Sequence, residues 1–258
     1  MTTKYFEPFG YVRYKFGDGE APVLFNDLTE YVDVIDAVKE NVTLLNKYTV
    51  VAGERPDALS YELYGTTDYY WTFFLLNDHI RISGWAQPES ELLTLAKSKY
   101  PHRVLTTEYT GLATDFPLGA TIQGRSSGTV GQIIQRRLDF GQLVVKVTST
   151  NDANGDTFIG TERITRTASD GSVYEATLIG EVAQYNAIHH YETGGETGGG
   201  YVDIDPFNQP TGSSSINGVT YLDRLTKRND ELKEINVLRP DVIASVVSEF
   251  NRLHEERI

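Results

Sequence analysis

The sequence predicts an α+β fold, on three observations. Amphipathic helical patterns occupy both ends of the chain, and short alternating strands punctuated by turn dipeptides fill the middle. The texture changes four times along the chain, with the β language gathered in one central stretch. Five segments follow from the changes in texture: 1–44, 45–110, 111–184, 185–220 and 221–258.

Segment 1–44 reads as an arm and a helix. YFEPFGYVRYKFGDGEAPVLFND mixes aromatics with Pro and Gly and suits extended chain. Over 27–41 the apolar residues Leu28, Tyr31, Val32, Ile35 and Val38 recur at intervals of three and four, an amphipathic helix with Asp27 as N-cap. A short β-branched strand is predicted over 47–51.

Residues 54–80, ERPDALSYELYGTTDYYWTFFLLNDHI, concentrate aromatic surface. A first helix carries Leu59, Tyr61, Leu63 and Tyr64, and Gly65 supplies a left-handed C-cap. Asp68 is placed as the cap of a second helix that finishes on Asn77. At about 100° per residue, Tyr69, Phe73 and Leu76 share one face, with Trp71, Phe74 and Leu75 on the other. A helix apolar all round is buried all round. Either another part of the chain or a partner protein therefore covers Trp71 and Phe74, and the partner is the reading carried forward. A loop and a third helix beginning near Pro88 come next.

Segment 111–184 is expected to be an inserted, small β-barrel-like domain. Runs such as QLVVKVTS and SVYEATLIGEV are separated by Asn154-Gly155 and Asp170-Gly171, dipeptides that suit tight hairpins. FPLGATI at 116–122 and FIGTERI at 158–164 echo each other, as two similar halves of one barrel would. In 185–220, YNAIHHYE and GYVDID flank a Gly-rich tip as a hairpin, and NQPTGSSSING has linker composition. The end of the chain is read as two helices. One places Leu222, Leu225, Leu232 and Ile235 at helical spacing around Asn229; the other starts at Pro240 and carries Ile243, Val246, Val247, Phe250 and Leu253.

Charge and composition exclude several functions. With 23 basic and 36 acidic residues the chain carries −13, so a phosphate backbone is repelled, and no local basic patch offsets this. Cysteine is absent, which removes disulfides, thiol catalysis and Cys-based zinc sites. MTTKYFEPFG lacks the apolar core of a signal peptide and no run reaches membrane-spanning length, so a chain made and folded in the cytosol is expected. His189 and His190 are neighbours on a predicted strand and should point to opposite faces, which leaves His190 and Glu192 as a two-ligand set too small for a metal. DANGD at 152–156 resembles a calcium loop, but Arg163 stands where the bidentate Glu is needed. GGETGGG lacks the Lys-Ser/Thr of a phosphate loop. Neither a cofactor nor a catalytic group is expected.

LNKYTVVAGERPDALSYELYGTTDYYWTFFLLND resembles a LysM module: strand, turn at Ala52-Gly53, helix, Gly65, second helix. Two departures stand out. The Gly-Asp-Thr turn is replaced by Gly53-Glu54-Arg55-Pro56, and no strand directly follows the second helix. Taken with SGW, AIHHYE and the ending NDELKEINVLRPDVIASVVSEFNRL, the sequence looks like the baseplate wedge protein family of contractile-tailed bacteriophages. The T-even-type component of that family carries a LysM-like domain. The resemblance spans roughly 5–100 and 185–256. It implies a structural role in the virion tail baseplate, in multiple copies, joining other wedge proteins and the sheath-initiator or inner baseplate proteins. Neither nucleic acid nor a membrane is an implied partner. The expected partner surface comprises Trp71, Phe74, Leu75, Trp85, Ile243, Val246, Val247, Phe250 and Leu253. The alternative is a tail or cell-wall-associated protein that grips peptidoglycan through the LysM-like unit.

Overall fold

The computed structural model describes residues 11–26, 38–39, 41–150, 157–193, 200–202 and 216–255. The chain forms two compact units, Met1–Glu89 with Arg228–Ile258, and Ser90–Lys227.

The first unit begins with β1 (Tyr11–Tyr14) and β2 (Val23–Asn26), an antiparallel hairpin that pairs Val12 with Phe25 and Tyr14 with Val23. The expected arm is therefore extended but folded back on itself. The helix expected over 27–41 lies outside the described residues apart from Val38 and Lys39, which are helical, and Asn41. β3 (Leu45–Thr49) precedes α1 (Pro56–Tyr64), whose Pro56 sits in the first turn where its missing N–H costs nothing. Gly65 closes α1 at φ 72°, and its amide donates to Tyr61 O. Thr66 rather than Asp68 caps the next turn, its hydroxyl accepting from the Asp68 amide at 3.3 Å. α2 (Trp71–Leu76) is short and gives way at Asn77 to α3 (Asp78–Ser83), a helix that the sequence reading did not foresee.

The second unit takes up most of α4 (Glu89–Lys99). There follow β4 (Arg103–Thr107), the single turn α5 (Leu112–Asp115), β5 (Thr121–Gly124), β6 (Val130–Arg137), β7 (Gln142–Ser149), β8 (Arg163–Thr167) and β9 (Val173–Ala183). All pairings are antiparallel and run β4-β7-β6-β5-β8-β9, with β9 returning to β4, so the sheet closes on itself. The two echoed motifs occupy matching places: Phe116 and Phe158, and Ile122 and Ile164, all enter one core, and β5 and β8 are paired neighbours.

An insert starting at 111 would omit β4, whose Arg103 lies opposite both Val145 and Ala183. The closed sheet instead spans 103–183, and its two ends touch: the Gln184 amide donates to His102 O at 2.8 Å. Replacing 103–183 by a short Gly/Ser linker is expected to leave the first unit's helical circular dichroism and melting temperature in place. Loss of that helical signal would show that the first unit depends on the sheet. Removing 113–183 is a poorer cut, because it strips β4 of both neighbours.

After the closed sheet, β10 (Ile188–Thr193) pairs with β11 (Tyr201–Val202), as the hairpin reading expected, and on its other edge with β12 (Ile216–Thr220). β12 occupies the end of the presumed linker. α6 (Tyr221–Glu231) leads back to the first unit. There the sequence reading fails, because the helical spacing does not continue to Ile235. β13 (Glu234–Leu238) is a strand, antiparallel to β3, with Ile235 opposite Tyr48. Its alternation explains why: Ile235 and Val237 enter one cluster while Leu238 enters another. α7 (Ile243–Glu255) then starts at Ile243, after the turn that holds Pro240.

Candidate protein-interaction site

The aromatic helix α2 divides its side chains between two clusters of its own unit. Trp71, 7% exposed, packs with ring centroids 5.0 Å apart on Phe250 of α7, alongside Val38, Leu75, Leu76 and Val247. Phe73 is fully buried among Leu59, Ile80, Ile235 and Val237. Half-buried Phe74 and Trp85 join this second cluster with their rings 5.7 Å apart. The division differs from the expected one: Phe74 lies with Phe73, and Leu76 lies with Trp71.

The surface assigned to a partner is thus covered by the chain itself. Trp71, Leu75, Ile243, Val247 and Phe250 form one buried cluster, with Val246 packed against it. Trp85 and Phe74 line the other cluster. The Leu253 side chain lies outside the described residues. The reason is geometric. A stripe at helical spacing shows that a helix face is buried, and α7 follows β13 closely enough to fold that face onto α2.

Buried polar groups hold this platform together. Asn77 Nδ2 donates to Phe73 O and Asn236 O, both at 2.8 Å, and its Oδ1 accepts from the Asn236 amide at 2.8 Å. One side chain therefore ends α2 and anchors β13. Tyr64 donates to Leu238 O at 2.9 Å, and burial pushes its phenol well above the usual range. Trp85 Nε1 donates to Glu54 O at 2.6 Å. Asn229 accepts from the Gln87 amide at 2.8 Å and donates to Gln87 O at 3.0 Å, clipping the outgoing and returning chain together. Satisfied in this way, such groups specify one packing.

The histidines of HHYE behave differently from expectation. His189 Nδ1 lies 2.9 Å from His190 Nδ1, and His190 Nε2 lies 3.0 Å from Glu192. Neighbouring strand residues meet here because the β10–β12 register slips between Ile188 and His190, turning both rings to one side. Burial first, then the nearby Arg224, lowers the His189 pKa to about 4. Among the described residues no three His, Cys, Asp or Glu side chains come together as a metal site. DANGD at 152–156 lies wholly outside the described residues. No helix among them is long and apolar enough to cross a membrane.

What sequence reasoning missed is the exposed aromatic surface of the β1–β2 hairpin. Tyr14, Phe16 and Phe25 are 56%, 67% and 42% exposed. They nevertheless stack edge to face, Phe16 lying 5.2 Å from Tyr14 and 5.7 Å from Phe25. The signal was available in the alternation of YVRYKF and VLF, which reads as two short strands once a Gly-rich turn is placed between them.

Residues 5–104 match the family model described as base plate wedge protein 53. The match contains the hairpin, β3 and the α1–α2 platform, and ends inside β4. No curated protein matches the chain.

Proposed function

We propose, from the similarity of residues 5–104 to a baseplate wedge family, that this chain is a non-enzymatic structural component of a phage tail baseplate. In this reading it joins wedge subunits to one another and to the inner ring from which the sheath starts, in several copies per particle. The family match is the observation that carries the proposal, and the rigid, polar-clipped aromatic platform is consistent with a scaffold. Mass spectrometry of purified tails tests it. The chain is expected among the tail proteins, and deletion of its gene is expected to yield particles without complete baseplates. Its absence from purified tails would overturn the proposal.

The LysM-like reading of the core gains support from β13. The strand absent after the second helix is supplied from the far end of the chain, so β3, α1, α2 and β13 follow a strand–helix–helix–strand order. That order keeps glycan binding as the second reading. Retention on insoluble peptidoglycan separates it from the scaffold reading.

A further inference from the structure

We infer that the β1–β2 hairpin docks into an apolar cleft on a protein other than this chain. Antiparallel partners share a face, so Val12 with Phe25 and Tyr14 with Val23 make one face almost wholly apolar. Phe16 extends it through its two edge-to-face contacts. The opposite face pairs Tyr11 with Asn26 and Arg13 with Leu24, and is mixed. Among the described residues none buries either face: every residue of β1 is exposed, and so are Val23, Leu24 and Phe25 of β2. A two-stranded hairpin by itself is marginal in water and leaves both edges unpaired. An aromatic cluster already ordered before binding loses little side-chain freedom when it docks, and aromatic side chains are enriched at the centre of interfaces.

Area and charge decide the occupant. A second copy stacking on the apolar face would cover five side chains that are only 42–67% exposed, roughly 500 Å² per copy against the ~800 Å² per partner of a standard interface. It would also bring together two chains of charge −13. A cleft that closes over both faces also takes Tyr11 and Leu24, 70% and 60% exposed. The area then rises to roughly 700 Å², close to the standard size. The charges along the hairpin cancel, Arg13 and Lys15 against Asp18 and Glu20, so this part of an acidic chain enters an apolar site without carrying net charge. The inference stands on the hairpin's surface and not on the baseplate reading.

Photocrosslinking tests it. In the full chain, Phe16 or Phe25 is replaced by p-benzoylphenylalanine, with the exposed Lys97 of α4 as the control position, and the cells in which the protein is naturally made are irradiated. The expected result is one product with a different polypeptide, from positions 16 and 25 but not 97, whose linked peptide is apolar. Phe16→Ser with Phe25→Ser is expected to reduce recovery of that polypeptide at least tenfold and to leave the melting temperature unchanged. Three results would overturn the inference: no crosslink, a crosslink to a second copy with a sedimenting dimer that Phe16→Ser dissociates, or retention on insoluble peptidoglycan that Phe16→Ser abolishes. Detection of the chain in purified tails is scored separately and bears only on the baseplate proposal.

Discussion

Trp71→Ala is expected to destabilise the first unit by about 3–5 kcal/mol, the usual cost of emptying a buried aromatic site. Its ring lies against Phe250 and inside the cluster shared by α2 and α7. Phe250→Ala should cost a comparable amount, and so should Phe73→Ala in the neighbouring cluster. The double variant Trp71→Ala with Phe250→Ala should fall short of the sum by about 0.5–1.5 kcal/mol, because both truncations remove the same ring contact. Denaturant unfolding followed by tryptophan fluorescence measures all four. If Trp71→Ala left the transition unmoved while Phe73→Ala shifted it, α7 would not be what covers Trp71. By the same logic, truncation after Asn217 does not spare the core, since it removes β13 and α7 together.

The second large effect centres on Glu162, a buried carboxylate in the closed sheet. It accepts from the amides of Ser126 and Ser127 at 2.8 Å and of Ile159 at 2.7 Å, and from the Ser127 hydroxyl at 2.7 Å. A β-carbon on Gly124 would collide with this carboxylate and with Ser127, so the strand passes the site as glycine. Glu162→Ala removes an acceptor that is 4% exposed from four donors, two of them on the fully buried Ser127. The expected loss is about 3 kcal/mol or more, as each stranded buried donor costs on the order of 1–3 kcal/mol. Glu162→Gln is expected to fall between, since its amide turns one donor toward other donors. Burial raises the Glu162 pKa, but the hydrogen bonds from Ser127, Ile159 and Ser126 outweigh it and hold the carboxyl below the usual range. With the folded-state pKa depressed, the carboxylate's contribution is fully present above the unfolded value and is lost as pH falls through the folded one. Melts of the second unit should therefore show an acid-side decline that Glu162→Gln flattens. An unchanged acid limb in that variant would assign the decline to other carboxylates.

Features set by short-range chemistry were legible in the sequence. Gly65 reads as a left-handed cap because so few other residues tolerate that conformation, and QLVVKVTS is so rich in β-branched residues that β7 falls on the predicted residues. The echo of FPLGATI and FIGTERI was readable because both copies deliver a Phe and an Ile to the same core. Features set by distant partners were not. EINVL continues a helical spacing from α6, and only β3, far away in sequence, makes it a strand. The apolar stripe of α7 showed that the helix is buried but not by what, so a partner was assigned where α2 serves. The meeting of His189 with His190 depends on a one-residue slip that no local pattern announces. The hairpin was hidden for the opposite reason: its apolar residues remain in solvent, whereas apolar residues are usually read as core.

The pairing of β3 with β13 also sets a timetable. Thr49 and Glu234, whose side chains meet across this pair, are 185 residues apart. A ribosome adding about 5–20 residues per second would need roughly 10–40 s between the two strands, and during that interval β3 has no partner strand. The closed sheet, whose strands all lie between these two, can complete itself meanwhile. Once it has, the touching ends at His102 and Gln184 nearly halve the length of loose chain that β13 must close, a saving of only about 0.6 kcal/mol in chain entropy. Any chain that stops short of β13 is left with Phe73 and Leu59 uncovered. Completion of the aromatic platform therefore reports that synthesis has passed β13, which keeps copies terminated before it from presenting a finished surface.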